Sequence, residues 1–193
     1  MLSSILGVSA VLLQTLGSIP YIRDIFLLKT KPERASFWIF FLLISITFAT
    51  QMTDKVTWAA FLTGASALIV GFIAVLSLKY GYGTFKKKDA FSILFAIIGV
   101  AIWLITNQPI VPVIMVILVD FAGFWLTLVK AWREPYTETA ISWAATALAA
   151  TFIVIGAHEF SFVQLGYIIY SVFANWGITF MLLYRRGVVD AKA

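Results

Sequence analysis

The chain has 193 residues, 62% hydrophobic and only 12% charged, with a formal net charge of +5 and no cysteine; its mean hydropathy is +0.98. Soluble domains are about 45–50% apolar and about 25% charged, so the composition excludes an ordinary soluble domain and describes an integral membrane protein. The missing cysteine excludes disulfides, thiolate metal sites and thiol nucleophiles, and the basic excess sits in short loops, which fits membrane orientation rather than nucleic-acid binding.

The N-terminal run M-L-S-S-I-L-G-V-S-A-V-L-L-Q has no basic n-region and outlasts an h-region, so it reads as a retained first helix. Counting ~17–25 apolar residues per span predicts seven transmembrane helices, roughly 2–28, 36–52, 57–79, 90–106, 109–131, 139–157 and 161–184. Proline-containing loops, K-T-K-P-E-R and R-E-P-Y-T-E, follow the first and fifth spans, where proline stops a helix. Of the basic residues, Arg23, Lys29, Lys31, Arg34, Lys79, Lys86, Lys87, Lys88, Lys130, Arg133, Arg185, Arg186 and Lys192 fall on one side, and Lys55 alone on the other. The positive-inside rule then puts the N-terminus outside and the C-terminus in the cytoplasm.

Comparing the two halves exposes a repeat at a spacing of 105–106 residues. Gly17 falls on Gly123; after a one-residue gap Glu33, Ala35 and Trp38 fall on Glu138, Ala140 and Trp143; Gly71 and Gly81 then fall on Gly177 and Gly187. Three helices reverse the chain, so a single linker helix is needed to give two such units the same orientation. The expected fold is an all-α membrane protein in one domain: repeat one over 1–81, a linker helix over 90–106 and repeat two over 109–187.

In these features the chain resembles the SWEET and PQ-loop class of small seven-helix transporters. The PQ motif of that class corresponds here to Pro20-Tyr21 and, in the second repeat, to Leu126-Thr127. The pattern D-x-x-G-x-x-x-T-x-x-K-x-x-x-x-P-x-x-E, from Asp120 to Glu138, is similar to small bacterial seven-helix membrane proteins of the same general class. The resemblance implies transport by alternating access around a site at mid-membrane. It also implies that Asn175 matches the substrate-contacting asparagine in the last helix of a repeat, although its counterpart in repeat one is Ile69.

The residues themselves point to the same depth. Asp120 lies ~16 Å into its span at 1.5 Å per residue, near the middle of an about 30 Å hydrocarbon core. An intramembrane carboxylate costs at least about 2.5–3.5 kcal/mol, so its presence suggests use, as a proton-coupling or cation-recognising group. The plainer reading is an uncharged Asp tying two helices together. Its repeat partner is Gln14, at similar depth. Tyr167, Ser171 and Asn175 share one helix face with Tyr170 beside them, and together these six form the expected substrate-binding or coupling set. Asn175 reads almost equally as interhelical glue. Pro20, with Gly17 and Gly123, would supply hinge and close helix contact, or a static kink. Trp38, Trp132 and Trp143 read as interfacial anchors, and Trp125 and Trp176 as packing. The lone His158 lies beside Glu159 in a loop and makes no metal site.

No metal, cofactor or catalytic residue is expected. The chain carries no H-E-x-x-H, G-x-S-x-G or P-loop, and no mid-span lysine for a retinal Schiff base. A small-solute transporter or facilitator is the first expectation; a non-transporting membrane scaffold or sensor subunit is the alternative. The expected partners are a small polar solute and the lipid bilayer, with no nucleic acid, and a homodimer could complete the pore.

Overall fold

A backbone in hydrocarbon must satisfy its own polar groups, and this chain does so with helices. The computed structural model describes residues 2–84, 94, 98, 101, 104–106 and 108–190. Within them lie α1 (Leu2–Phe26), α2 (Arg34–Asp54), α3 (Trp58–Tyr80), α4 (Ile110–Arg133), a 3-10 turn (Pro135–Thr137), α5 (Ala140–Gly156) and α6 (Phe162–Asp190). All but α5 and the 3-10 turn are long and apolar enough to cross a membrane, and α5 is an apolar helix of 17 residues. The predicted linker helix over 90–106 and the Lys86–Lys88 run fall largely or wholly outside the described residues. The other six predicted spans match helices to within a few residues, except that α6 continues to Asp190, past the predicted end at 184.

The helix ends follow from local chemistry. Glu33 caps α2 by accepting from the Ser36 amide at 2.7 Å, and the Thr57 hydroxyl stands as the cap of α3. After α1, Leu28 turns through a left-handed φ of 59°, and the amides of Lys29 and Thr30 return to the Asp24 carbonyl.

Each helix lies against two main neighbours, in the closed order α1, α3, α2, α4, α6, α5 and back to α1. Arg23, Lys29, Lys31, Arg34, Lys79, Lys130, Arg133, Arg185 and Arg186 gather at the ends where α1, α3, α4 and α6 finish, called here the basic end; Lys55 stands at the opposite end. One apolar cluster, including Ile25, Leu43, Ile178 and Leu182, fills mainly the basic half. A smaller one, built on Ala10, Ala59, Leu62, Ala149 and Leu165, fills the other half. The contact of α1 with α5 is very close: a Cβ on Gly17 would stand 2.2 Å from the Ala145 Cβ, so only glycine fits. Between α2 and α4, Gly123 lies beside Ile39, and its carbonyl accepts from the Ser36 hydroxyl at 2.8 Å.

Candidate functional site: a polar cavity at the centre of the ring

The ring of helices encloses a cavity with about 120 Å³ of water-accessible space. Residues from all six helices line it, from Leu62 and Ile168 at one level to Tyr21, Phe37 and Trp143 toward the basic end. All six residues predicted to bind or couple meet there: Gln14 from α1, Asp120 from α4, and Tyr167, Tyr170, Ser171 and Asn175 from α6. The walls are otherwise mainly apolar and aromatic, which is how small-molecule sites combine burial with a few orienting polar groups.

Asp120 is 5% exposed. Tyr170 donates its hydroxyl to Oδ2 at 2.7 Å and Tyr167 to Oδ1 at 3.2 Å. The carboxylate therefore ties α4 to α6 and lines the cavity as well. No Lys, Arg or His lines the cavity among the described residues.

Gln14 is buried, and its Oε1 has no hydrogen-bond partner; neither does the Ser142 hydroxyl. Gln14 and Asp120 share the cavity without bonding to each other. Asn175 is not interhelical glue: its amide returns to its own helix, to the carbonyl and hydroxyl of Ser171 at 2.8 and 2.9 Å. Other lining hydroxyls are also turned back on their own helices, Ser18 to Thr15, Thr63 to Ala59 and Thr146 to Ser142. Gln14 Oε1 and the Ser142 hydroxyl are thus fully buried atoms of lining residues without a partner.

Toward the basic end, the cavity meets a buried network that sequence reasoning missed. Glu138 accepts from the Tyr21 hydroxyl and the Trp143 indole, each at 3.0 Å, and pairs with Lys130 at 2.5 Å. Lys130 also donates to the carbonyls of Lys31 and Thr137. The side chains of Lys130 and Glu138 are 3% and 0% exposed. Lys130, counted in sequence as one more loop cation, is an internal ion-pair partner. Trp143, read as a belt anchor, lines the cavity edge-on to Tyr21 and Phe124. The coincidence of Glu33 and Trp38 with Glu138 and Trp143 in the repeat was the available signal.

At the opposite end α2 and α6 are clamped. Gln51 donates to the Gln164 carbonyl at 2.8 Å, and the Gln164 amide donates to the Gln51 carbonyl, the Lys55 carbonyl and Asp54 at 3.0–3.1 Å. Lys55 and Glu159 pair at the surface at 3.0 Å, and that hydrogen bond raises the Lys55 pKa above its usual value. Exposed as it is, the pair contributes little.

Pro20 lies within α1, which runs unbroken through it. Trp132 lies exposed at the basic end, with Arg185 over its ring. Trp38 is partly buried against the larger apolar cluster, with an unpartnered indole nitrogen. Trp176 stacks on Phe180 and donates to Thr151, whereas Trp125 is 56% exposed and packs in no core. His158 is exposed, and no group of residues able to hold a metal occurs among the described residues. Comparison of the chain with known protein families, with curated proteins and with solved structures finds no match in any of the three.

Proposed function

We propose that this protein is a small secondary transporter or facilitator, moving a polar solute by alternating access around the Asp120 cavity. The observation that carries the reading is the meeting of six polar residues, chosen from sequence for their depth or their shared helix face, in one central cavity between two tied ends. An ordinary bundle core would fill that space with apolar side chains.

The order of neighbours supports the two-repeat architecture. Exchanging α1 with α4, α2 with α5 and α3 with α6 carries the ring α1–α3–α2–α4–α6–α5 onto itself. This is the symmetry of two parallel three-helix units about an axis along the membrane normal, and it fits a SWEET-like or PQ-loop-like transporter. The units would rock against each other, with Gly17 and Gly123 at the two close contacts between them. The cations at the basic end put that end in the cytoplasm, giving an outer N-terminus and an inner C-terminus in a bacterial plasma membrane. Asp120 is the group through which flux would couple to protons. No enzymatic role is proposed.

Uptake into proteoliposomes, over a panel of sugars, vitamins, nucleosides and amines with and without a pH gradient, tests the reading. Saturable uptake of a panel member, lost in a folded Asp120→Asn variant, is the expected result. No flux for any solute, together with stoichiometric co-purification of a partner protein, would instead favour a scaffold.

A further inference from the structure

The cavity constrains the charge of what it holds. Among the described residues, Asp120 is the carboxylate that lines it, and its partners there are two neutral phenols. The other charged groups on α4 and on its neighbours α2 and α6 stand toward the helix ends: Lys130 and Arg133, Arg34 and Asp54, and Arg185, Arg186 and Asp190. The titratable residues that share the cavity are Tyr21, Tyr167 and Tyr170; α2, α3 and α5 contribute none. A carboxylate in so apolar a place must be neutralised by a proton or by a bound cation.

Two more acceptors wait in the same cavity. Gln14 Oε1 and Ser142 Oγ are buried without partners, on residues 5% and 7% exposed. Phe40, Phe124 and Trp143 supply aromatic surface. A neutral polyol would satisfy the amide and hydroxyl but would leave the proton on Asp120, so the carboxylate would take no part in recognising its charge. A bare metal ion would leave the aromatic walls unused and would want more oxygen ligands than these. An anion would find no Lys, Arg or His lining the cavity among the described residues. A primary ammonium offers Asp120 both a positive charge and N–H donors, and its organic remainder can lie against the rings.

Building on the transport reading of this cavity, we propose that its solute is a small primary organic ammonium ion, which replaces a proton on Asp120 when it binds. The exchange balances: the protonated carboxyl releases one proton as the ammonium arrives, and the carboxylate and the cation neutralise each other. The solute and the proton therefore occupy Asp120 in turn, the stoichiometry an exchanger needs.

The test uses the full chain in detergent and titrates benzylamine, benzyl alcohol and benzyltrimethylammonium by calorimetry, in buffers of different ionisation enthalpy. Benzylamine is expected to bind at least about tenfold more tightly than either analogue, since each lacks the charge or the N–H donors. Its binding should release up to one proton and weaken as pH falls, because protons compete for Asp120. Asp120→Asn should abolish the proton release; if that variant does not fold, the parent's pH series and the two analogues decide the matter alone. Equal binding of benzyl alcohol, or benzylamine binding that is independent of pH, would overturn the proposal. Amine binding without flux in proteoliposomes would uphold this assignment and remove the transport reading. Flux of a neutral solute with no amine binding would do the reverse.

Discussion

Tyr170 and Asp120 join α6 to α4 by a hydrogen bond of 2.7 Å at the wall of the central cavity, with Tyr167 adding a longer one of 3.2 Å. The carboxylate is thereby held in place while still facing the space a solute would occupy. Tyr170→Phe removes the shorter donor and keeps the ring. A hydrogen bond to a charged group is worth about 1.5–3 kcal/mol, so solute affinity or uptake should change by roughly tenfold or more. Tyr167→Phe should have the smaller effect. Paired uptake and thermal-unfolding curves for the two variants check the order, and parental transport by Tyr170→Phe would remove the bond from the account.

The Gly17–Ala145 contact makes a reciprocal prediction. Gly17→Ala drives two methyl groups to 2.2 Å, and overpacking of this kind costs about 1–3 kcal/mol. Adding Ala145→Gly should restore most of that loss, since the clash is between these two carbons. Unfolding midpoints of both single variants and the double variant form the cycle. Additive losses would mean that the α1–α5 approach is looser than described.

Glu138 and Lys130 present an asymmetric case. Removing one member of a buried ion pair strands the other charge at about 3–5 kcal/mol, whereas replacing both with apolar residues is often neutral. Glu138→Gln should therefore destabilise the protein strongly, and Lys130→Met with Glu138→Leu less so, even though the double change also removes the acceptor of Tyr21 and Trp143. A denaturation series in detergent reads this directly. A double variant less stable than the single one would show that the tyrosine and tryptophan bonds outweigh the pair.

Much of the fold was legible because the signals were long. Apolar runs of membrane length fix helix positions, since these are dictated by the solvent rather than by packing. Depth counting brought Asp120 and Gln14 to one level before any contact was known. What it could not give was side-chain rotation. Asn175 looked fit to bridge helices but turns back to Ser171, a choice set by local geometry. Lys130 looked like a loop cation because its partner, Glu138, lies beyond a proline turn, where helix periodicity no longer predicts facing. Trp125 and Trp143 exchanged their expected surroundings for the same reason: hydrophobicity tells that a tryptophan is out of water, not whether a lipid or a cavity touches it.

The two tied ends should respond in opposite directions. Gln164→Ala loosens the end near Lys55, where its amide binds three acceptors, and Tyr21→Phe loosens the Glu138 network. The first change should make a reporter in the cavity more reactive from the Lys55 side, the second from the basic side. A shift of reactivity to the same side in both variants would show that these networks are not gates.

That reporter also gives the most direct test of the central claim. The chain has no cysteine, and Ser66 lines the cavity from α3, so Ser66→Cys introduces a single thiol at the proposed site. The measurement is labelling of this variant in sealed vesicles by a membrane-impermeant thiol reagent, added separately to each side. Alternating access predicts labelling from both sides, with each rate lowered by a solute that binds at Asp120. Labelling confined to one side under every condition, or none from either side in folded protein, would contradict it.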